Sequence, residues 1–245
     1  MAKVGVKVRL GAMGITVAAA LGMAAQTAAA GTIAPLTEAQ RTAMTGIAWK
    51  PGCPVALDDL VSVAVTYQGF DGKAHDGALV VNKRIANDVA SLFADLYAAH
   101  FPVNRVDSWE KYGSTIYAEQ NITVGFYCEK ADDAPNEWSS HAYGMAIDIN
   151  PLINPFLDLQ HNWWPKVAAQ YTPRDGAPGK VSPQGAAFQI FTRHGWIWGG
   201  FDAGVPDYMH FMKVTVGDGA RMDRPYEVTG LRYIPGGATE TAQPK

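Results

Sequence analysis

The hydrophobic pattern between residues 61 and 81 is that of a β-hairpin. Residues 61–67 are mostly apolar and β-branched, and residues 78–81 resume this pattern after a turn-forming Gly-Phe-Asp-Gly run at 69–72. Apolar runs that flank a glycine-containing turn are typical of two antiparallel strands. We therefore predict a hairpin in this part of the chain.

The apolar residues between 83 and 100 follow a different period. They recur every three or four positions, as on one face of an α-helix. The residues of this face are Ile85, Val89, Leu92, Phe93, Leu96 and Tyr97. We predict a helix over residues 83–100 whose apolar face packs against the sheet.

End signals indicate a second, shorter helix near residue 37. Thr37 and Gln40 have the spacing of a capping box, in which each side chain bonds to the backbone amide of the other residue. Pro51 and Gly52 are helix-ending residues. The helix is therefore expected to begin after Thr37 and to continue until Pro51 and Gly52 end it.

A third helix is indicated between residues 183 and 194. Ser182 precedes Pro183 in the order expected for an N-cap and the first helical position. Gly195 stands where a left-handed residue commonly ends a helix. The segment between them presents Ala187, Phe188 and Phe191 to the core.

The rest of the chain contains short strands separated by loops. The predicted strands are 122–126, 145–150, 196–198 and 209–214, and the predicted irregular or loop segments are 102–120, 129–138 and 199–206. Elements in this order favour an α+β fold, with a mainly antiparallel sheet packed with a few helices.

Strand 145–150 carries an acidic residue on one of its faces. Period-two alternation places Asp148 on one face and apolar side chains on the other. Such a carboxylate is costly to bury unless something pairs with it, and a metal ion is the strongest partner. His141 has the opposite parity, but the break at Gly144 allows the chain to turn so that both side chains converge.

Residues 1–30 have the layout of a secretory signal peptide. Three basic residues precede an uncharged stretch rich in Ala and Gly that ends in three alanines at 28–30, where we expect cleavage. The alternative is an uncleaved anchor, but the stretch contains little Leu, Ile, Val or Phe. We therefore expect a secreted, extracytoplasmic protein without a membrane span after cleavage.

Length and charge limit the remaining possibilities. The chain has 245 residues and a formal net charge of −3, and removal of the signal peptide, with its three basic residues, makes it more acidic. An acidic chain without a basic block is a poor candidate for nucleic-acid binding. We expect an N-terminal segment at 31–50, one domain at 51–233 and a flexible tail at 234–245.

The two cysteines, Cys53 and Cys128, lie outside the signal peptide. An even count in an exported chain is compatible with a disulfide, which we expect here. Two separate buried thiols are the alternative. The two cysteines are too far apart in sequence to form the CxxC pattern of a metal site.

Two distant segments together offer two imidazoles and two carboxylates, His141 with Asp148 and Asp207 with His210. Hydrolytic zinc takes three His, Asp or Glu ligands and keeps a fourth position for water. We expect His141, Asp148 and His210 to bind one zinc ion and Asp207 to act as the general base. In the alternative assignment Asp207 binds zinc and Asp148 supports a ligand.

These motifs resemble the VanY-type D-alanyl-D-alanine carboxypeptidase family of zinc peptidases. The matching segments are 140–148, 195–200 and 207–211, and the similarity extends over residues 51–213. That family also includes L-alanyl-D-glutamate endopeptidases, and its fold is shared with the hedgehog signalling domain. The resemblance implies the same three ligands and base, and a peptidoglycan stem peptide as substrate.

One position departs from this family. In similar sequences an arginine that steadies the substrate or the oxyanion commonly follows the cysteine at 128, whereas this chain has Glu129 and then Lys130. An oxyanion donor is worth about 10²–10³ in rate. Either Lys130 or another cation replaces the arginine, or the protein is weak, altered in specificity or inactive. In the inactive case it would be a zinc-bearing domain that binds wall peptides or a protein partner.

Three further residues are candidates for substrate contacts. Tyr143 and Trp198 would line a groove, although packing in the core or at its rim is an equal alternative. Ser140 would form a hydrogen bond near the site. The equal alternative is that Ser140 only stabilises a turn of the backbone. A third class of function, a structural domain without metal, leaves the two imidazoles and two carboxylates unexplained.

Overall fold

The computed structural model describes residues 31–113, 115–131, 134–202 and 204–213, together with Met1 and strand residues 226–228, 231–234 and 238–241. Apart from Met1, the expected signal peptide lies outside the described residues. Within the described part, no helix is long and apolar enough to cross a bilayer.

The described α-helices are interspersed among a larger number of short strands. The α-helices are α1 (Glu38–Met44), α2 (Ala86–Ala98), α3 (Ile116–Glu119) and α4 (Ala186–Arg193). The strands are β1 (Ile33–Pro35), β2 (Leu60–Gln68), β3 (Ala74–Asn82), β4 (Arg105–Val106), β5 (Ile122–Thr123), β6 (Lys130–Ala131), β7 (Ala134–Trp138), β8 (Ala146–Asp148), β9 (Phe156–Leu157), β10 (Trp163–Trp164), β11 (Trp196–Trp198), β12 (His210–Lys213), β13 (Tyr226–Val228), β14 (Leu231–Ile234) and β15 (Ala238–Thr241). This mixture of helices and mostly antiparallel strands confirms the α+β prediction.

The predicted hairpin and the long helix form one packing unit. β2 pairs antiparallel with β3 over nine residues, and β1 adds a third strand. Val89, Leu92 and Phe93 of α2 are fully buried in the same core cluster as Val63 and Leu79 of the hairpin. Burial of this one face explains why the helix forms where the apolar period predicts it.

A second antiparallel sheet, in the order β11-β12-β8, carries the candidate chemistry. Three apolar residues around β8, namely Met145, Ile147 and Ile149, are fully buried in the main core. The intervening Asp148 therefore lies on the other face of the strand, as the alternation predicts. The core behind this sheet fixes which side chains face the site.

The N-terminal helix confirms the predicted start but not the predicted end. The Thr37 side chain accepts a hydrogen bond from the Gln40 amide, and the Gln40 side chain accepts one from the Thr37 amide. The helix ends at Met44 rather than at Pro51, because Thr45 is extended and Gly46 is left-handed at φ +84°.

Helix α4 begins later than its end signal predicts. Gly185 is the N-cap, and Ser182 instead accepts a backbone hydrogen bond from Gly185 in a preceding turn. Gln184 has a left-handed φ of +69°, so the chain is not helical immediately before Gly185. The prediction of Ser182 as N-cap was wrong, whereas the left-handed Gly195 is where it was expected.

The segment 129–138, predicted as an exposed loop, is a second hairpin. β6 pairs antiparallel with β7, and Lys130 is the partner of Trp138. The Lys130 ammonium lies 3.8 Å from the centre of the Trp138 ring. This cation–π contact joins the two strands. Their sequence is polar and lacks the alternation of apolar residues by which a strand is usually predicted.

Two other segments contain more structure than expected. Residues 102–120 include β4 and α3, and β4 pairs in parallel with β5. Ile234 and residues 238–241, placed in the expected tail, belong to the antiparallel strands β14 and β15. The other residues of that tail lie outside the described part, as does Val214 of the predicted strand 209–214.

The predicted disulfide is present. Cys53 and Cys128 are bonded across a sequence separation of 75 residues. Both cysteines belong to a small hydrophobic cluster with Phe126 and Trp138. The bridge therefore ties the segment before β2 to the segment that leads into the β6–β7 hairpin.

Candidate metal centre

A single turn of 3-10 helix, Ser140–Tyr143, delivers His141 to the site. The Ser139 hydroxyl accepts a hydrogen bond from the His141 amide at the start of this turn, and Gly144 ends it with a φ of +67°. A Cβ at position 144 would lie 2.6 Å from the Asn82 nitrogen, so this close approach requires glycine. The turn places His141 within reach of β8.

Asp148 and His210 reach the site from neighbouring strands. They are direct partners in the antiparallel pairing of β8 with β12. Side chains at partner positions lie on the same face of a sheet, with Cβ atoms about 5 Å apart. The sheet thus brings together two residues that are 62 positions apart in sequence.

Three ligand-type atoms converge between these elements. His141 Nε2 lies 3.1 Å from Asp148 Oδ1 and 3.0 Å from His210 Nδ1, and the last two atoms are 3.3 Å apart. Ligand atoms around a tetrahedral zinc ion are about 3.3 Å apart, because each bond is about 2.0–2.2 Å long. The spacing of the three residues therefore fits one zinc ion.

Hydrogen bonds on the far side of each imidazole orient the two rings. His141 Nδ1 lies 2.6 Å from the Gly125 carbonyl oxygen, and since a carbonyl only accepts, Nδ1 is the donor. His210 Nε2 lies 2.9 Å from the Ser140 hydroxyl. With Nε2 as the donor, the two nitrogens that face Asp148 both present lone pairs. Three acceptor atoms in such contact are stable only with positive charge between them, from a metal ion or from a proton on an imidazole.

Two buried tyrosines hold the other oxygen of Asp148. The hydroxyls of Tyr117 and Tyr127 donate to Asp148 Oδ2 over 3.0 and 3.1 Å. Burial, followed by the charge of Asp148, raises the pKa of both tyrosines well above the ordinary value. Both hydroxyls therefore keep their protons and act as donors.

Asp148 and His141 each shift the pKa of the other. Burial alone would raise the pKa of Asp148, but His141 and His210 lower it far below its usual range. Burial likewise would lower the pKa of His141, and the charge and hydrogen bond of Asp148 raise it instead. The aspartate is thus a carboxylate with a strong preference for positive charge beside it.

Tyr117, Tyr127 and Gly125 were missed by sequence reasoning. Tyr127 also stacks on the His141 ring, with 4.2 Å between ring centres. Gly125 lies near the end of the predicted strand 122–126, Tyr127 lies directly after it, and Tyr117 lies in a segment predicted to be irregular. No local pattern marks them, because their partners come from other parts of the chain.

Asp207 lies beside His210 on the loop that enters β12. Its amide donates to the Gly199 carbonyl over 3.1 Å. A Cβ at position 199 would lie 3.1 Å from the Asp207 Cβ and 3.5 Å from the His210 Cβ, so glycine allows these residues to approach. The three converging ligand atoms include Asp148 and not Asp207, which favours the first of the two assignments.

The predicted substrate contacts fall in different places. Ser140 is at the cluster, through its hydrogen bond to His210. Trp198 is only 3% exposed, and its indole donates to the Tyr208 carbonyl, which places it in the core rather than along an open groove. Tyr143 is half-buried against the main core, and Lys130 is exposed on the β6–β7 hairpin.

Comparison with known proteins gives one match. The family model described as D-alanyl-D-alanine carboxypeptidase matches residues 132–213, about a third of the chain. No curated protein and no solved structure matches the chain. The matched range contains the three converging residues and Asp207, so the match supports a peptidase.

Proposed function

We propose that this protein is a secreted zinc peptidase that hydrolyses an amide bond in peptidoglycan stem peptides. The observation that carries the proposal is the convergence of His141 Nε2, Asp148 Oδ1 and His210 Nδ1 at distances of 3.0 to 3.3 Å. Two neutral imidazoles and one carboxylate are the ligand set of hydrolytic zinc sites. The family match over the same residues supports the substrate class.

His141, Asp148 and His210 would hold the zinc ion. Zinc bound in this way polarises a carbonyl and lowers the pKa of its water to about 7. Asp207 would accept the proton of the attacking water and deliver it to the leaving amine. Aspartate is one methylene shorter than glutamate, so the backbone at Asp207 would have to lie close to that water. The absence of a Cβ at Gly199 allows this residue to pack closely against Asp207 and His210.

The compartment proposal rests on the expected signal peptide at residues 1–30 and on the disulfide. Disulfides persist in oxidising compartments, and the Cys53–Cys128 bridge is of the kind found in exported proteins. An enzyme outside the cytoplasmic membrane has direct access to the cell wall. The scissile bond would be either D-Ala-D-Ala or L-Ala-D-Glu.

Purified protein loaded with zinc should be incubated with defined stem peptides that contain both bonds, followed by mass spectrometry. We expect one zinc per chain and cleavage of one of the two bonds. Asp207→Asn should retain zinc and lose at least a hundredfold in turnover, whereas His210→Ala should lose zinc. Asp202→Asn, in the same loop, is the matched control. Zinc-loaded protein that releases no product from any stem peptide would contradict the proposal.

A second candidate function is binding of wall peptides without hydrolysis. It is favoured by Glu129, whose negative charge acts on His141 and Tyr127 at the site where similar sequences carry arginine. Under this function the zinc-loaded protein binds stem peptides and leaves them intact. Glu129→Arg should then raise turnover from nothing to a measurable rate, whereas an active wild type would argue against this candidate.

A further inference from the structure

The two oxygens of Asp148 have separate sets of partners. Oδ1 faces the nitrogens of His141 and His210, whereas Oδ2 receives the hydroxyls of Tyr117 and Tyr127. The tyrosines are 7% and 4% exposed, so water does not substitute for them. Both oxygens of the Asp148 carboxylate are therefore held by neighbouring side chains.

The two tyrosines come from different elements, which makes their convergence informative. Tyr117 lies in α3, and Tyr127 lies between β5 and β6. Their hydroxyl oxygens are 3.3 Å apart, and both reach the same carboxylate oxygen. Burial of two hydroxyls costs free energy unless each has a partner, and here a single oxygen atom serves both.

Tyr127 contacts a second member of the cluster as well. Its ring stacks on His141 at 4.2 Å with an angle of 19° between the planes. Trp109 also stacks on Tyr127, with 5.2 Å between ring centres. Tyr127 is thus fixed by a neighbour and in turn fixes both the plane of His141 and the rotation of Asp148.

We propose that Tyr117 and Tyr127 are positioning residues for the metal, which hold Asp148 so that only Oδ1 is presented to it. The inference rests on the proposed zinc site. A carboxylate with two free oxygens can rotate and offer either or both to an ion. Hydrogen bonds to Oδ2 remove that freedom and leave the rest of the coordination sphere to water and substrate.

A purely structural role makes a different prediction. If the hydroxyls served only to satisfy buried polar groups, their removal would lower the stability of the fold and leave metal affinity unchanged. The two roles are separated by measurements on the metal rather than on turnover.

The test uses Tyr117→Phe, Tyr127→Phe and the double variant, each of which keeps the aromatic ring. Tyr112→Phe is the matched control, because it also removes a tyrosine-to-aspartate hydrogen bond, from Tyr112 to Asp107 over 2.7 Å, outside the cluster. Zinc affinity is measured by competition with a chromophoric chelator, and the geometry of the site by the visible spectrum of the Co²⁺-loaded protein. Near-ultraviolet circular dichroism checks that each variant is folded.

We expect each single variant to bind zinc about 10–100-fold more weakly than the wild type, as for other hydrogen-bond partners of metal ligands. The double variant should bind more weakly still and change the Co²⁺ spectrum, whereas Tyr112→Phe should bind as the wild type does. Folded single variants with wild-type affinity and an unchanged spectrum would overturn the inference. A wild type that binds neither zinc nor cobalt would instead overturn the proposed function and the inference with it. If the double variant does not fold, the zinc affinities and Co²⁺ spectra of the two single variants decide between the two roles.

Discussion

His210 of β12 and Asp148 of β8 are direct partners in an antiparallel sheet. The next pair along the register, Phe211 with Ile147, lies in the main core. A slip of one residue would turn each of these side chains to the other face of the sheet. The core therefore stabilises the one register in which the imidazole and the carboxylate meet.

Ser140 should contribute to metal affinity through His210. Its hydroxyl lies 2.9 Å from His210 Nε2, and by accepting a hydrogen bond from Nε2–H it would favour the tautomer in which Nδ1 is free to bind. We expect Ser140→Ala to weaken zinc binding about tenfold, at the lower end of the range for such partners. Ser91→Ala is a suitable control, because it also removes a serine hydroxyl hydrogen bond, on the exposed surface of α2. Equal zinc affinities for the two variants would show that Ser140 has no such role.

Gly199 should affect turnover through the position of Asp207. A methyl group at 199 would come within 3.0 Å of the Asp207 carbonyl oxygen and 3.1 Å of its Cβ. We expect Gly199→Ala to lower kcat by about tenfold or more while zinc stays bound, because small displacements of a general base cost rate. The control is Gly204→Ala, whose added Cβ would make only an ordinary contact at 3.6 Å. An unchanged kcat for Gly199→Ala would argue against Asp207 as the base.

The sequence predicts the parts of this site that depend on local pattern. The face on which Asp148 lies follows from alternation along one strand, and the turn before it follows from the need for a left-handed residue at Gly144. Helix α2 and the β2–β3 hairpin are predictable for the same reason. Each of these features is encoded within one short, continuous stretch of the sequence.

Other parts depend on contacts between distant residues and could not be predicted in this way. The pairing of β12 with β8 sets which histidine meets Asp148, and no local period encodes a register. Tyr117 and Tyr127 act through hydroxyls that converge from two elements. The β6–β7 hairpin was missed because a lysine and a tryptophan, rather than two apolar side chains, form the contact across its strands.

The stability of the fold should fall in acid because of Asp88 on α2. Burial alone would raise the pKa of Asp88, but hydrogen bonds from His194, Trp196 and Lys213 lower it. A carboxylate whose pKa is lower in the folded protein stabilises the fold above its unfolded pKa of about 3.9, and this stabilisation is lost as the pH falls. Asp95 accepts a hydrogen bond from the other nitrogen of His194, and this bond lowers the pKa of Asp95 as well.

We expect Asp88→Asn to lower the free energy of unfolding at pH 7 by about 2 kcal/mol, the range for hydrogen bonds to a charged group. The variant should also lose less stability than the wild type between pH 5 and pH 3. Asp58→Asn removes an exposed ion pair with Arg41 and should change stability by less than about 1 kcal/mol. Denaturant unfolding at several pH values gives the free energy of unfolding of the wild type, Asp88→Asn and Asp58→Asn. Parallel pH profiles for Asp88→Asn and the wild type would contradict this prediction.

The Cys53–Cys128 bridge should stabilise both the fold and the site. In the chain-entropy description, a cross-link over 75 residues restricts the unfolded chain by about 4 kcal/mol. Because Cys128 directly follows Tyr127, the bridge also anchors the segment that contacts Asp148 and His141. Replacement of both cysteines by alanine should therefore lower the free energy of unfolding by about 2–5 kcal/mol and weaken zinc binding in the protein that remains folded. Equilibrium denaturation and chelator competition measure the two effects separately. A loss of stability with wild-type zinc affinity would confine the role of the bridge to the fold, and the same stability for both proteins would contradict the prediction altogether.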